Sequence, residues 1–316
     1  SLTKFRKSQG KNYLKVSFYT DSEWSECWQS AQNSNATVFQ EEYKNLNADN
    51  HKATYLGKAP LTDEYDTISD LKAGIKKWTS SKSPEHYFVK EVEVGLSSIN
   101  LPYDVIYVDT PGLDDVVEYR SNITRDYIDR ANAVLVCVNS TTLRGEELKT
   151  ISSVFANTRF NPQKVYVVAT QIDRLNNPQK DWPKQSAEWL KYLKGVGYFN
   201  DDKLAQRNLI PVSAYLYTML QKSGSKLNDD EQMELESMLL RYRVRLSEVA
   251  EKYDELLKQT YIDQFKMRIQ KEIVDNHREY HRQDITEKYE ACCSDLMKIM
   301  AEIKQVQEEL AATSSQ

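Results

Sequence analysis

Residues 107–115 read YVDTPGLDD, and this stretch decides how the rest of the chain is interpreted. An apolar run, VIYV at 105–108, ends abruptly in DTPG at 109–112. A buried strand that ends in this way delivers a carboxylate and a flexible glycine to the edge of a sheet, where open α/β sheets bind their ligands. The aspartate can hold a water of a Mg²⁺ ion, and the glycine amide can approach a γ-phosphate without interference from a Cβ atom. The stretch therefore predicts a phosphate site.

Short β-branched runs recur after this stretch and alternate with segments of helical spacing. They predict strands at 105–108, 133–138, 165–169 and 209–212, and helices near 116–131, 143–157 and 183–194. Such alternation is typical of an α/β fold, with a mostly parallel sheet flanked by helices. Upstream, residues 14–19 predict a half-buried strand, and 87–96 alternate valine with charged residues, as a strand with one exposed face or an edge strand does.

Two regions differ in composition from this α/β pattern. Residues from about 21 to 85 are polar and predict a helical insert with loops. Residues 225–316 contain neither glycine nor proline and predict long helices that form a bundle or coiled coil. The predicted domains are therefore an α/β domain at 1–222 and a helical segment at 225–316. A strict heptad seam runs through the helical segment, and it consists of Ile285, Tyr289, Cys292, Leu296, Ile299, Ile303, Val306 and Leu310.

Two further short motifs follow predicted strands. TQID at 170–173 follows the strand at 165–169, and SA at 213–214 follows the strand at 209–212. A carboxylate at Asp173 can accept hydrogen bonds from the N1–H and the exocyclic amine of guanine, a pair of donors that adenine does not offer. A backbone amide at 213–214 can meet the guanine O6. Each motif alone is a weak signal, but three in order, each after an apolar strand, favour a guanine-nucleotide site.

In this order, DTPGL, TQID and SA resemble the third, fourth and fifth motifs of the G domain in the translation-factor-related GTPases. The helical insert before the third motif and the long helices after the fifth are similar to those of dynamin-like proteins. The resemblance covers about residues 3–222 and the start of the helical segment. It implies a P-loop GTPase fold, GTP or GDP as ligand, Mg²⁺ as cofactor, and GTP hydrolysis by the complete protein.

The resemblance also implies roles for individual residues. It assigns Asp109 to the metal site, Gly112 to the catalytic sensing of the γ-phosphate, and Asp173 to the reading of guanine. The second switch would extend from Leu113 to about Arg120. The nucleotide-binding residues that it implies are Asp109, Thr110, Pro111, Gly112, Thr170, Gln171, Asp173, Ser213 and Ala214.

Two departures from the family pattern stand out. Gln171 occupies the position of a lysine whose stem normally packs over the base, so guanine selectivity should survive while affinity falls. The second departure is the absence of the phosphate loop G-x-x-x-x-G-K-[ST] from these 316 residues. Gly10 and Gly57 precede lysines, but neither has the other residues of the motif.

The missing phosphate loop has a structural consequence. In G domains the strand that feeds this loop lies in the middle of the sheet, and removing it exposes two ladders of backbone groups. We therefore expect the strand, loop and following helix to precede residue 1 or to be supplied by another chain. The 316 residues alone are expected to be inactive.

Composition limits the classes of partner and the cellular location that we expect. The net charge of −5 gives no basis for direct nucleic-acid binding, and four cysteines without metal spacing favour a reducing cytoplasm. We expect self-association through the G domain or the C-terminal helices, and a cytoplasmic location at the periphery of a membrane. The alternatives are a degenerate G domain that does not hydrolyse GTP and acts as a partner-binding scaffold, and a helical scaffold whose α/β part is only structural.

Several other patterns favour ordinary structural roles. His277 and His281 have helical spacing and predict a polar helix face, while Cys292 on the seam predicts a core position. The tryptophan pairs at 24 and 28 and at 182 and 189 predict packing. The basic stretch LRYRVRLSE at 240–248 predicts a solvated face, with contact to phosphate or acidic lipid as the alternative.

Overall fold

The computed structural model describes residues 2–113, 115, 117–141, 143, 145–158, 161–223 and 227–313. It does not describe the side chains at 280, 281, 284 and 309–313, so the predicted His281 and Leu310 positions lie outside the described side chains. The chain divides into two compact units, one that ends at Met267 and one that begins at Arg268.

Five strands of the first unit form a mixed sheet. They are β1 (Leu2–Lys7), β2 (Asn12–Phe18), β3 (Leu61–Tyr65), β4 (Val89–Leu96) and β5 (Tyr107–Asp109). The strand order is β3-β2-β4-β1-β5, and only β1 and β4 pair in parallel. The strand predicted from 87–96 is confirmed, but its edge alternative is wrong, because β4 pairs with β2 on one side and with β1 on the other.

Three more strands form a separate parallel sheet. They are β6 (Val134–Asn139), β7 (Val165–Thr170) and β8 (Leu209–Pro211), in that order. Helices flank this sheet, and they are α5 (Glu118–Arg130), α6 (Glu146–Ala156), α7 (Pro178–Leu193) and α8 (Asp202–Asn208). The helices predicted near 116–131, 143–157 and 183–194 are thus confirmed. The third starts earlier because Asn177 caps it and Pro178 takes its first position.

The α/β prediction is confirmed, but the expectation of one mostly parallel sheet is wrong. The five-stranded sheet is largely antiparallel, and β5 and β6 are edge strands of two different sheets. Those two strands are the ones that a phosphate-loop strand separates in the G-domain fold that the motifs resemble. Among the described residues, no backbone ladder joins the two sheets.

Side chains of β6 are also exposed, on the side of the open region (the gap) between β5 and β6. Leu135 and Cys137 of β6 are exposed, whereas their register partners Tyr166 and Val168 on β7 are each only 2% exposed. Partners in register lie on the same face of a sheet. One face of the three-stranded sheet is therefore covered over β7 and open over β6.

The predicted insert is mainly helical and contains β3. Its helices are α1 (Asp21–Asn33), α2 (Thr37–Asn45), α3 (Lys52–Tyr55) and α4 (Ile68–Thr79). Thr20 and Glu23 form a capping box at the start of α1. Trp24 packs in an aromatic core with Tyr43 and Phe88. Both predicted tryptophan pairs are packing residues, as expected.

The first unit ends in a layer of helices. These are α9 (Ala214–Lys222), α10 (Asp229–Arg241), α11 (Val249–Gln259) and α12 (Ile262–Ile269), the last of which crosses the boundary between the units. Leu216 of α9, Leu235 and Leu239 of α10, and Leu256 of α11 share one hydrophobic core. This core fixes α10 against α9, which begins at the SA motif.

The second unit is dominated by α13 (His277–Thr313), a helix of 37 residues. The described apolar residues of its heptad seam are exposed: Ile285 by 54%, Tyr289 by 69% and Leu296 by 54%. Cys292, predicted as a core residue, is exposed too. The heptad spacing is present on a helix as expected, but in this structure it forms an open apolar stripe.

Candidate functional site

The TQID and SA motifs lie at the carboxyl ends of neighbouring parallel strands. TQID begins at the last residue of β7, and Ser213 follows two residues after β8 ends. The Val212 amide donates to the Ala169 carbonyl at 2.8 Å, and the Ile172 amide donates to the Val212 carbonyl at 3.4 Å. The two motifs, 40 residues apart by number (173 and 213), therefore meet at one edge of the sheet.

Asp173 and Ser213 form the centre of this edge. Asp173 is 4% exposed and Ser213 is fully buried, and the Ser213 hydroxyl donates a hydrogen bond to Asp173 Oδ1. A carboxylate has two oxygens and several acceptor positions, so this bond orients the group and leaves acceptor capacity for further donors. Such a fixed carboxylate suits recognition of adjacent N–H groups on a planar base.

Thr170 and Gln171 shape the approach to the carboxylate. The Thr170 hydroxyl donates to the Val138 carbonyl at 2.9 Å, which ties β7 to β6. Gln171 has a left-handed backbone with φ 61°, and its side-chain oxygen accepts from the amide of Asn139 at 3.3 Å. The glutamine side chain is exposed at the mouth of this edge.

The structure separates the predicted roles of Ser213 and Ala214. The Ser213 amide already donates to the Thr260 carbonyl at 2.9 Å. Ala214 is the exposed first residue of α9, where a helix leaves its amides without intrahelical acceptors. The Ser213 hydroxyl thus orients Asp173, whereas the Ala214 amide is the one at the start of α9 that lacks an intrahelical acceptor.

The DTPG residues lie at the other end of the predicted site. Asp109 is the exposed last residue of β5, and Gly112 is exposed as well. The Thr124 hydroxyl donates to the Pro111 carbonyl at 2.6 Å, and Thr110 is half-buried. In the described part of the chain no hydrogen bond holds the Asp109 carboxylate or the Gly112 amide.

The Asp109 carboxylate acts electrostatically on Cys137 of β6. The surrounding protein, and after it the Asp109 carboxylate, raise the pKa of the Cys137 thiol. Cys137 is nevertheless exposed, because the gap is open to solvent. The end of β5 is therefore near enough to β6 for the charge of Asp109 to act on Cys137, although no strand in the described part of the chain joins them.

The later half of the predicted second switch packs against the insert. Residues 114 and 116 of this segment lie outside the described residues. Val117 is fully buried in the aromatic core, and the Tyr119 amide donates to the Ser30 hydroxyl at 3.0 Å. The Arg120 guanidinium lies 4.8 Å from the Phe39 ring centroid and 3.8 Å from an Asp115 oxygen. This half of the switch is anchored.

Comparison with known proteins finds a distant relative. A stretch of 103 residues, 32% of this chain, is 28% identical to Dynamin-like protein 1 of Campylobacter jejuni subsp. jejuni serotype O:23/36 (strain 81-176). The chain is a distant relative of the bacterial dynamin-like proteins. No family model matches the sequence.

A solved structure supports the dynamin-like fold. It is described as an oligomerised bacterial dynamin pair that provides a mechanism for the long-range sensing and tethering of membranes, and it superposes with a TM-score of 0.50 at 19% identity. All of this chain aligns, but it spans only 43% of that structure, and the matched stretch spans 14% of the Campylobacter protein.

Two features of the described part of the chain bear on metal binding and on membrane spanning. Within the described ranges, no three His, Cys, Asp or Glu residues cluster in a way that could hold a metal ion. A Mg²⁺ ion at Asp109 would thus draw its other oxygens from phosphate and water, as this ion commonly does. No helix in the described part of the chain is both long enough and apolar enough to span a bilayer.

Three contributors to the base edge were not predicted from sequence. They are Arg241, Tyr242 and Thr260, which come from the helical layer and lie against the TQID and SA motifs. The basic stretch at 240–248 was the available signal for Arg241. It predicted a solvated face, because a sequence does not show which arginine of such a stretch turns inward.

Proposed function

We propose that this chain is the base-recognising and helical part of a dynamin-like GTPase that binds guanine nucleotide with Mg²⁺ and hydrolyses GTP. The observation that carries the proposal is the buried Asp173–Ser213 pair at the carboxyl ends of adjacent parallel strands. Asp173 would accept from the N1–H and exocyclic amine of guanine, and the Ala214 amide would donate to O6.

The open region between β5 and β6 would receive the phosphate-binding segment. One further strand would satisfy the free edges of both sheets, and a helix after it would cover Leu135 and Cys137. Apolar faces and unpaired strand edges are unfavourable in water, so such a segment would be bound by burial and by backbone hydrogen bonds together. We propose that a polypeptide segment outside residues 1–316 supplies it.

The residues of this chain would then act at the γ-phosphate end. Mg²⁺, when bound, would spread the charge that develops on the transferred phosphoryl group. Asp109 would hold a water of that ion, and the free Gly112 amide would contact the γ-phosphate. Because Val117 and Arg120 are anchored on the insert, a change at Gly112 would be passed to the aromatic core around Phe39.

Calorimetry with a non-hydrolysable GTP analogue tests the proposal. The 316-residue chain alone should show no measurable binding, because it lacks the amides and lysine that cradle the β- and γ-phosphates. The same chain with a strand, phosphate loop and helix restored, by fusion or as a separate polypeptide, should bind guanine in preference to adenine nucleotides and release phosphate from GTP.

A matched variant controls for nonspecific association of the added segment. Leu135→Asp places a charge on the open face of β6, where the chain alone tolerates it but the covering helix does not. This variant should melt like the parent and fail to recover nucleotide binding. Tight Mg²⁺-dependent binding by the unsupplemented chain would show that the phosphate-loop proposal is wrong.

The exposed seam of α13 favours a second function, self-association. A stripe with heptad spacing along 37 residues, about 55 Å of helix, is the pattern by which helices pair. Leu296→Asp should reduce the mass measured by light scattering without changing the melting temperature. Ser294→Asp, an exposed position off the seam, is the control and should leave the mass unchanged. A parent chain that is monomeric at all accessible concentrations would contradict this proposal.

A membrane surface is the further partner that we propose, with a cytoplasmic location at its periphery. The support is the relationship to a solved bacterial dynamin pair described in terms of sensing and tethering membranes. The test uses the chain with the strand, phosphate loop and helix restored, called the complemented protein below. It is loaded with GTP and co-sedimented with vesicles of acidic and of neutral lipids. Absence of binding to both would leave the scaffold alternative, in which the helices bind protein partners.

A further inference from the structure

One arginine of the basic stretch at 240–248 turns toward the base edge. Arg241 ends α10, and its Nη1 donates to the main-chain carbonyl of Asp173 at 2.8 Å. Arg243 and Arg245, two and four residues later, are exposed. A hydrogen bond from a charged guanidinium is stronger than one between neutral groups. The stretch therefore holds one inward contact and two solvated cations.

The helical layer makes a second contact with the same edge. The carbonyl of Thr260 accepts from the Ser213 amide at 2.9 Å, and Thr260 is fully buried. Its hydroxyl donates to the Leu257 carbonyl at 2.6 Å, which keeps it at the end of α11. Both halves of the base edge, Asp173 and Ser213, are thus bonded through their main chains to the helices.

Tyr242 lies beside the Asp173–Ser213 pair. It is 5% exposed, and its buried hydroxyl lies beside the Ser213 side chain. Burial, and then the Asp173 carboxylate, raise the pKa of this phenol. The polar surroundings of the carboxylate are consequently set in part by α10 and the residue that follows it.

Recognition of a base by Asp173 depends on how firmly its main chain is held. A carboxylate that meets two N–H groups must hold both its position and its plane, and small displacements lose one of two bonds. The Ser213 hydroxyl sets one oxygen, but it does not fix the backbone from which the Asp173 side chain projects. Arg241 does, and α10 is itself held by the core around Leu235 and Leu239.

We propose that Arg241 is a positioning residue for guanine recognition, which it serves by fixing the Asp173 backbone, and that it couples base binding to α10. This inference rests on the function proposed above. Coupling between two sites is reciprocal, so base binding also stabilises the placement of α10 on the base edge. The helical layer then responds to the base, whereas the insert responds to the γ-phosphate.

The test measures guanosine against inosine triphosphate, since inosine lacks the exocyclic amine that Asp173 reads. Arg241→Met keeps the aliphatic stem and removes the donor, and Arg241→Lys restores one donor. The control is Arg243→Asn, because asparagine tolerates the left-handed backbone there, φ 59°. Dissociation constants are measured in the complemented protein, after each variant has been shown to melt cooperatively.

Arg241→Met should lower the preference for GTP over ITP by about tenfold, the worth of one lost hydrogen bond to the amine. Arg241→Lys should recover most of the preference, and Arg243→Asn should keep all of it. Equal weakening of both nucleotides, or no change in either, would overturn the inference. A parent protein without preference for GTP over ATP would instead overturn the proposed function.

Discussion

The two ends of the candidate site differ in how completely this chain builds them. At the base end, Asp173 and Ser213 are buried, bonded to each other, and bonded through their backbones to Arg241 and Thr260. At the phosphate end, Asp109 projects from a three-residue edge strand and is exposed. The residues predicted to bind the base are buried and held by hydrogen bonds, whereas those predicted to bind phosphate are exposed.

The difference follows from where each end finds its neighbours. Base-end residues follow β7 and β8, which pair with each other and whose residues are almost all buried. The DTPG residues follow β5, whose outer side has no strand partner within the described ranges. A ligand site is rigid only if the strands beneath it are paired and packed, because unpaired backbone and open faces leave it unsupported.

The largest expected effect comes from Asp173→Asn. In the complemented protein it should weaken the binding free energy of GTP by roughly 2–3 kcal/mol, since charge-assisted hydrogen bonds are lost. The affinity for xanthosine triphosphate should rise, because the asparagine amide can donate to its 2-oxo group. Calorimetry measures both, and Asp202→Asn, an exposed position 66% open at its side chain, is the control. Unchanged GTP affinity would mean that the base end is not where we place it.

A smaller effect, on the free energy of unfolding, should distinguish β7 from β6. Val168→Ala on β7 removes two buried methyl groups and should lower the free energy of unfolding by about 2 kcal/mol. Leu135→Ala on β6, which is 37% exposed and on the same sheet face, should cost under about 1 kcal/mol. Urea denaturation of the 316-residue chain measures both.

Adding the phosphate-binding segment sharpens this comparison. If a helix covers β6, the cost of Leu135→Ala should rise toward that of Val168→Ala. Equal costs in the chain alone would show that the face over β6 is already packed, and the contrast between the two strands would disappear.

The smallest effect is expected at Gln171, on the rim of the base end. Gln171→Lys exchanges an exposed 3.3 Å contact with Asn139 for a stem that can cover the base. GTP affinity of the complemented protein should stay the same or tighten by a few-fold. Weakening by more than about tenfold, roughly 1.4 kcal/mol, would show that the contact with Asn139 supports the site.

Sequence patterns predicted the local elements of the fold well. The runs at 165–169 and 209–212 became β7 and β8, because dense β-branched residues and buried neighbours favour the same conformation. The strand β1 (Leu2–Lys7) was missed, since TKFRK alternates too weakly to mark a strand. Its insertion between β4 and β5 could not be predicted, because strand order depends on pairings between residues far apart in sequence.

The sequence by itself determined the order of the motifs, the absence of a phosphate loop from these residues, and the heptad spacing on α13, because each is a matter of residue type at fixed intervals. Only the tertiary structure decided that Ser213 bonds to Asp173, that Arg241 rather than Arg243 turns inward, and that the heptad seam is exposed. These depend on which surfaces meet when the helical layer packs on the sheet. Spacing along a chain sets the face of a helix, but burial is set by what lies against that face.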